Sequence, residues 1–166
     1  GLTPRAIAEL NAIGLSDWLS GRARNLGLRA AGFGQELLLP WPGGSLPSYG
    51  GAAPRTELDE QIMLIAKAAG ATVLEGHSAT DVVMEAGAIK AVIVKTEAGT
   101  VTINANSVII ADGARSQLGR KLGREWHRDT AYGVAARGYI SSERHDDPWI
   151  SSHLELRGEK NEILSG

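Results

Sequence analysis

Apolar positions change their spacing several times along this chain, and each spacing predicts an element. Ile7, Leu10 and Ile13 recur at helical intervals. They follow Thr3-Pro4, an N-cap hydroxyl with proline in the first turn, and Gly14 closes the stripe. Ser16-Asp17-Trp18-Leu19 predicts a second short helix. Residues 28–33 and 36–39 then read as two strands of a hairpin around Gly34-Gln35. A fifteen-residue Pro/Gly/Ser loop spans 40–54, a length that is uncommon and often functional. Leu58, Ile62, Ile65 and Ala66 predict a helix over 55–69, stopped by Gly70.

The second half is patterned for strands. Residues 72–74 predict a short strand. Residues 79–85, 89–96 and 100–105 predict an antiparallel meander with turns at Ala86-Gly87 and Ala98-Gly99. Residues 107–111 are nearly all apolar, the pattern of a buried parallel strand, here expected beside 72–74. A short helix is expected over 115–122. Strands are expected over 131–140 and 150–156, and the chain closes in half a hairpin over 160–166. The class predicted is α/β with α+β character. One layer is parallel and lies within 55–122. The other is a single antiparallel sheet fed by 26–39, 131–140 and 150–156.

Composition narrows the function. Of the 166 residues 43% are apolar, enough for a core, and 17 basic residues against 19 acidic ones give a net charge of −2. Scattered, balanced charge argues against nucleic acid as a partner. The chain has no Cys, which excludes disulfides and thiolate metal sites and fits a reducing, cytoplasmic setting. No apolar run approaches the length of a membrane span.

The chemistry is concentrated where Val108-Ile109-Ile110-Ala111 runs into Asp112-Gly113. An acidic side chain and a glycine at a strand's carboxyl end suit the polyol and phosphate parts of a dinucleotide. The bland reading is an ordinary Asp-Gly turn. Arg55 opens a helix after a long loop and has a fork suited to phosphate, so the cofactor reading is favoured over a surface salt bridge. Arg115 is an even case, and Ser116 is read as readily as a helix cap. His127 and His145 sit among charged or aromatic neighbours and read as solvated or packed. Ser151-Ser152-His153 lacks a nucleophile elbow. Trp41, Trp126 and Trp149 stand beside loops, where they serve either packing or a lipid pocket. A dinucleotide domain normally opens on G-x-G-x-x-G. Gly32-Phe33-Gly34 comes nearest, but Leu37 occupies the third glycine position. The expectation is therefore an interior stretch of a longer chain.

Several stretches carry a resemblance. Gly1-Leu2-Thr3-Pro4-Arg5-Ala6 is similar to the end of a C-G-x-x-[ST]-P-R-A segment. Pro54-Arg55-Thr56-Glu57-Leu58-Asp59 with Gly70-Ala71 is similar to an R-x-x-[LF]-D … G-A helix, and residues 108–116 to an Asp-Gly motif. Together they resemble the geranylgeranyl reductase family of FAD-dependent oxidoreductases, within the p-hydroxybenzoate hydroxylase-like flavoprotein group. The resemblance implies a partial FAD-binding αβ layer with a β-meander, plus part of an antiparallel substrate-domain sheet. Residues 1–25 and 51–125 would belong to the FAD domain, and 26–50 and 126–166 to the substrate domain. It further implies that Arg55 contacts the pyrophosphate and ribose, and Asp112 and Gly113 the pyrophosphate and ribityl chain. A backbone group near Val82 would meet adenine, and Arg5 would lie on the isoalloxazine side. The implied reaction reduces a carbon–carbon double bond of a geranylgeranyl lipid or prenylated quinone, with reduced nicotinamide or another donor and with peripheral membrane contact. No residue is implied as catalytic and no metal is expected. Two alternatives stand beside it: a flavin-dependent aromatic hydroxylase, and a lipid-binding module without catalysis.

Overall fold

The computed structural model describes residues 1–125 and 135–164. The chain forms two compact units, residues 1–72 with 138–166 and residues 73–137.

Among the described residues, the first unit has three helices and three small sheets. Helix α1 (Pro4–Ala12) starts where Thr3 Oγ1 accepts the Ala6 amide at 3.4 Å, with Pro4 in the first turn. Helix α2 (Ser16–Ser20) follows after Gly14, which takes φ +98°. Strand β1 (Arg24–Asn25) pairs antiparallel with β4 (Gly50–Gly51), and Leu2 exchanges amide bonds with Gly51 on the same bridge. Helix α3 (Arg55–Ala68) places Leu58 and Ile65 inward, while Ile62 and Leu64 stay exposed. Ile7, Leu10, Leu15, Leu19 and Leu58 form the buried cluster these elements share. Arg22 pairs with Glu57 at 2.6 Å and stacks over Trp18, so it links the end of α2 to α3.

The predicted hairpin is present as β2 (Gly27–Gly32) and β3 (Gln35–Pro40), paired antiparallel throughout. Its turn places both Phe33 (φ +53°) and Gly34 (φ +71°) in the left-handed region, the geometry of a twisted two-residue connection. Strand β8 (Trp149–His153) adds to the other edge of β2, but parallel to it, from Gly27 opposite Trp149 to Ala31 opposite His153. This corrects the all-antiparallel sheet expected from the sequence. Alternation shows which strand is half-buried and says nothing about its direction. The strand expected over 131–140 falls partly outside the described residues. Residues 131–134 lie outside the described residues, and 135–140 form no strand, with Tyr139 and Ile140 exposed. Strands β9 (Leu156–Arg157) and β10 (Ile163–Leu164) close the chain as a short antiparallel pair.

An ionic clip fixes the β2–β8 pairing. The Asp147 carboxylate accepts from both terminal nitrogens of Arg29 (Nη2 at 3.2 Å), from Arg144, and from the Trp149 amide at 3.1 Å. Arg29 first, then Arg144, hold its carboxyl well below the usual carboxylate range. A depressed native value stabilises the fold above the unfolded carboxylate range, and that contribution fades as pH falls toward the native value. The urea stability difference between the full-length protein and its Asp147→Asn variant should therefore be constant above about pH 5 and shrink below about pH 4. A difference independent of pH would remove the clip from the account.

The second unit carries the meander as predicted: β5 (Ser78–Glu85), β6 (Ala88–Thr96) and β7 (Gly99–Asn104), in spatial order β5-β6-β7. Ala91 and Val94 of β6 are buried. Helix α4 (Gln117–Lys121) docks on β5. Two expected strands are not formed. Residues 72–74 and 107–111 are irregular, and Ile109 is 91% exposed. A parallel strand needs ladder partners, and among the described residues nothing pairs with either segment.

Candidate functional site

The second unit gathers polar groups around Asp112. An open cavity of about 410 Å³ is lined by Ser78, Thr80, Asp112, Arg115, Gln117 and Lys121, together with Ala79 and Ser116. Three local features build it. Gly113 takes φ +86°, which L side chains rarely adopt, so the chain can turn away directly after Asp112. Ser116 caps α4, its Oγ accepting the Gly119 amide at 2.7 Å, which is the capping role considered from sequence. Lys121 donates to the Thr80 carbonyl at 2.8 Å and to Asp81 Oδ2 at 2.9 Å, pinning α4 to β5. That contact, with the Val82 amide donating to Asp81, lowers the Asp81 pKa. Val82 lies on β5 opposite Val92. Val82, Asp112 and Gly113 thus share the second unit, with Asp112 on the cavity wall and Val82 on the strand that supplies Ser78 and Thr80.

Arg5 and Arg55 belong to the first unit. Arg55 is the first residue of α3, reached through Pro54 as N-cap. Its Nε and Nη2 each donate to Asp59 at 3.0 Å, one turn along the helix. Asp59 raises its pKa further, and the side chain remains 64% exposed. The surface salt bridge weighed from sequence is therefore present, and it also holds the guanidinium at the mouth of the helix. Arg5 is exposed on α1 and, with Trp41, lines an apolar cavity.

These donors and acceptors fit parts of a dinucleotide. Within the second unit, Asp112 can accept from hydroxyls, with the cations Arg115 and Lys121 on the same polar cavity; within the first, Arg55 stands at a helix N-terminus of positive dipole. Among the described residues no cluster could hold a metal ion. His145 lies in an exposed turn and His153 is exposed on β8, while Trp126 and His127 fall outside the described residues. Sequence reasoning missed Asn25 and Lys121. A buried strand asparagine and a helix-end lysine leave no pattern without the partners that the fold brings to them.

Comparison with known proteins gives the family. Residues 4–149 match the model of the FAD binding domain family. The chain is 50% identical over 166 residues to a menaquinone reductase of Mycobacterium tuberculosis H37Rv, covering 100% of this chain and 40% of that protein. It is also 50% identical over 167 residues to a menaquinone reductase of Mycolicibacterium smegmatis, with the same coverage. The chain thus spans 40% of the length of these relatives. Among solved structures, a myxobacterial FAD-dependent chondrochloren halogenase superposes with TM-score 0.67 at 17% identity, over 72% of this chain and 29% of that one. A flavin-dependent brominase variant gives TM-score 0.64 at 19% identity, over 73% of this chain and 30% of that one. At those identities the likeness is one of fold: a mixed α/β arrangement consistent with part of an FAD-binding domain. The chain belongs to the FAD binding domain family, and its cofactor is FAD.

Proposed function

We propose that this chain is part of an FAD-dependent oxidoreductase that reduces a carbon–carbon double bond in the isoprenoid chain of a menaquinone-type lipid. One observation carries the reading: identity of 50% along the whole chain to proteins named menaquinone reductase. When bound, FAD supplies the two-electron reducing equivalent. The chain's own residues hold and orient it. Arg55 offers its guanidinium to the pyrophosphate, Asp112 accepts hydroxyl protons of the polyol, and Gly113 gives the backbone close approach. A backbone group near Val82 meets adenine, and Arg5 lies toward the isoalloxazine side. A reduced nicotinamide or another donor replenishes the electrons. The protein works in the cytoplasm, in peripheral contact with the membrane that holds its substrate.

The test uses the full-length protein. Under anaerobic conditions, with the flavin reduced by dithionite, detergent-dispersed menaquinone should gain two hydrogens in its side chain, read by mass spectrometry. Oxygen-dependent NADPH consumption with hydroxylation of an aromatic compound, and no change in menaquinone, would replace this reading with the hydroxylase one.

A further inference from the structure

The apolar cavity beside α1 has a chemistry of its own. It measures about 260 Å³ and is lined by Thr3, Pro4, Arg5, Trp41, Pro42, Gly43, Leu46 and Pro47. Most of its surface is apolar: proline rings, Leu46 and the Trp41 ring. Pro4, Pro42 and Pro47 have no amide N–H. The Thr3 hydroxyl accepts the α1 capping bond. Trp41 directs both of its N–H groups away from the cavity, the amide to the Leu26 carbonyl at 2.9 Å and the indole Nε1 to Asn25 Oδ1 at 2.7 Å. What Trp41 presents is ring surface. Among the lining residues Arg5 alone is charged.

The indole is held by a device built into the β1–β4 bridge. Asn25 is 7% exposed. Its Nδ2 donates to the Gly51 carbonyl at 3.2 Å while its Oδ1 takes the indole proton, so both ends of the amide are committed. Gly50 lies opposite Asn25 in the ladder, and a Cβ there would stand 2.5 Å from Asn25 Oδ1 and 2.4 Å from the Leu2 carbonyl oxygen. No side chain therefore fits at position 50 without displacing the amide or the bridge.

We propose that this cavity binds a segment of the unsaturated hydrocarbon chain of the lipid substrate, and that Asn25 is the positioning residue that sets Trp41 as its aromatic wall. The inference rests on the reductase reading above. A lining made mostly of proline, leucine and indole surface suits a ligand that asks for few hydrogen bonds, and an alkene chain against an indole face is such a ligand. The volume lies below the roughly 300–1,000 Å³ of sites that enclose a whole drug-sized molecule. The cavity takes one stretch of the chain and leaves the head group outside.

The experiment measures binding of radiolabelled geranylgeraniol, a prenyl alcohol without a quinone head, to the full-length protein in detergent by equilibrium dialysis. Trp41→Ala should weaken binding roughly ten- to a hundredfold. Asn25→Ala should weaken it roughly three- to tenfold in the wild-type background, and by less than about twofold when added to Trp41→Phe, because phenylalanine has no N–H for Asn25 to hold. Asn25→Ser, too short to reach the indole, carries the same expectation if the alanine variant does not accumulate. Binding unchanged in Trp41→Ala overturns the site. An Asn25 effect of equal size in both backgrounds shows a merely structural asparagine and overturns the positioning role. Geranylgeraniol bound in a Trp41-dependent way by a protein that does not reduce menaquinone overturns the functional reading and leaves the cavity assigned. Menaquinone turnover with Trp41-independent binding does the reverse.

Discussion

In the full-length protein, Arg55→Ala should lower FAD affinity about ten- to a hundredfold, while Arg29→Ala should leave it within about threefold. Both are arginines in carboxylate pairs, so the contrast lies in where the pairs stand. Arg55 opens the fourteen-residue helix α3 and is 64% exposed, with its fork set by Asp59 within the same helix. That pair leaves the cation exposed at a positive helix end, where phosphate is favoured. Arg29 lies on β2 with its side chain 17% exposed, and its bonds go to Asp147 across the β2–β8 ladder. Removing it loosens the sheet and leaves no phosphate contact missing. Flavin retained after dialysis, together with Kd from flavin fluorescence, reads the difference. Equal loss in the two variants would take Arg55 out of the cofactor site.

The elements that were legible in the sequence are those specified by neighbours in the chain. Thr3-Pro4 with Ile7 and Leu10 gives α1. Leu58 and Ile65 between Arg55 and Gly70 give α3. The meander follows from strand alternation broken at Ala86-Gly87, where Ala86 and Gly87 both take positive φ (+49° and +79°). Each signal closes within a turn or a hairpin. The direction of β8 is different in kind. Its partner β2 lies more than a hundred residues away, and the clip that fixes it, Arg29 with Asp147, spans 118 positions. The apolar run 107–111 misled for a related reason. It states that the segment can be buried, but burial in a parallel sheet is supplied by other strands.

The candidate site divides in the same way. Asp112 and Gly113 stand out in the sequence because an apolar run ending in Asp-Gly is a local pattern with a chemical meaning; the structure puts Asp112 on the wall of a polar cavity. Trp41 was readable only as a large ring beside a loop. Its role depends on Asn25, sixteen residues earlier, which the sequence presents as one more polar residue near a strand. A side chain that acts through another becomes visible only when the fold joins the pair.

The largest stability effect is expected at Ile7. It is 2% exposed and shares one buried cluster with Leu10, Leu15, Leu19 and Leu58, the cluster that joins α1 and α2 to α3, and its Cδ1 lies against Gly51 of β4. Truncation to alanine leaves a cavity where three helices and a bridge converge, and none of them can close it without dragging the others. Ile7→Ala should therefore cost about 2–5 kcal/mol. Ile13 belongs to the same predicted stripe but caps α1 and is 47% exposed, so Ile13→Ala should cost no more than about 0.5 kcal/mol. Urea unfolding of both variants in the full-length protein measures the two values side by side. The stripe alone ranks these isoleucines equally, whereas the end of the helix at Ala12 and the turn at Gly14 release Ile13 from the core. Similar costs at the two positions would show that the α1 stripe is buried as a whole and that the cluster around Ile7 is not the centre of the unit.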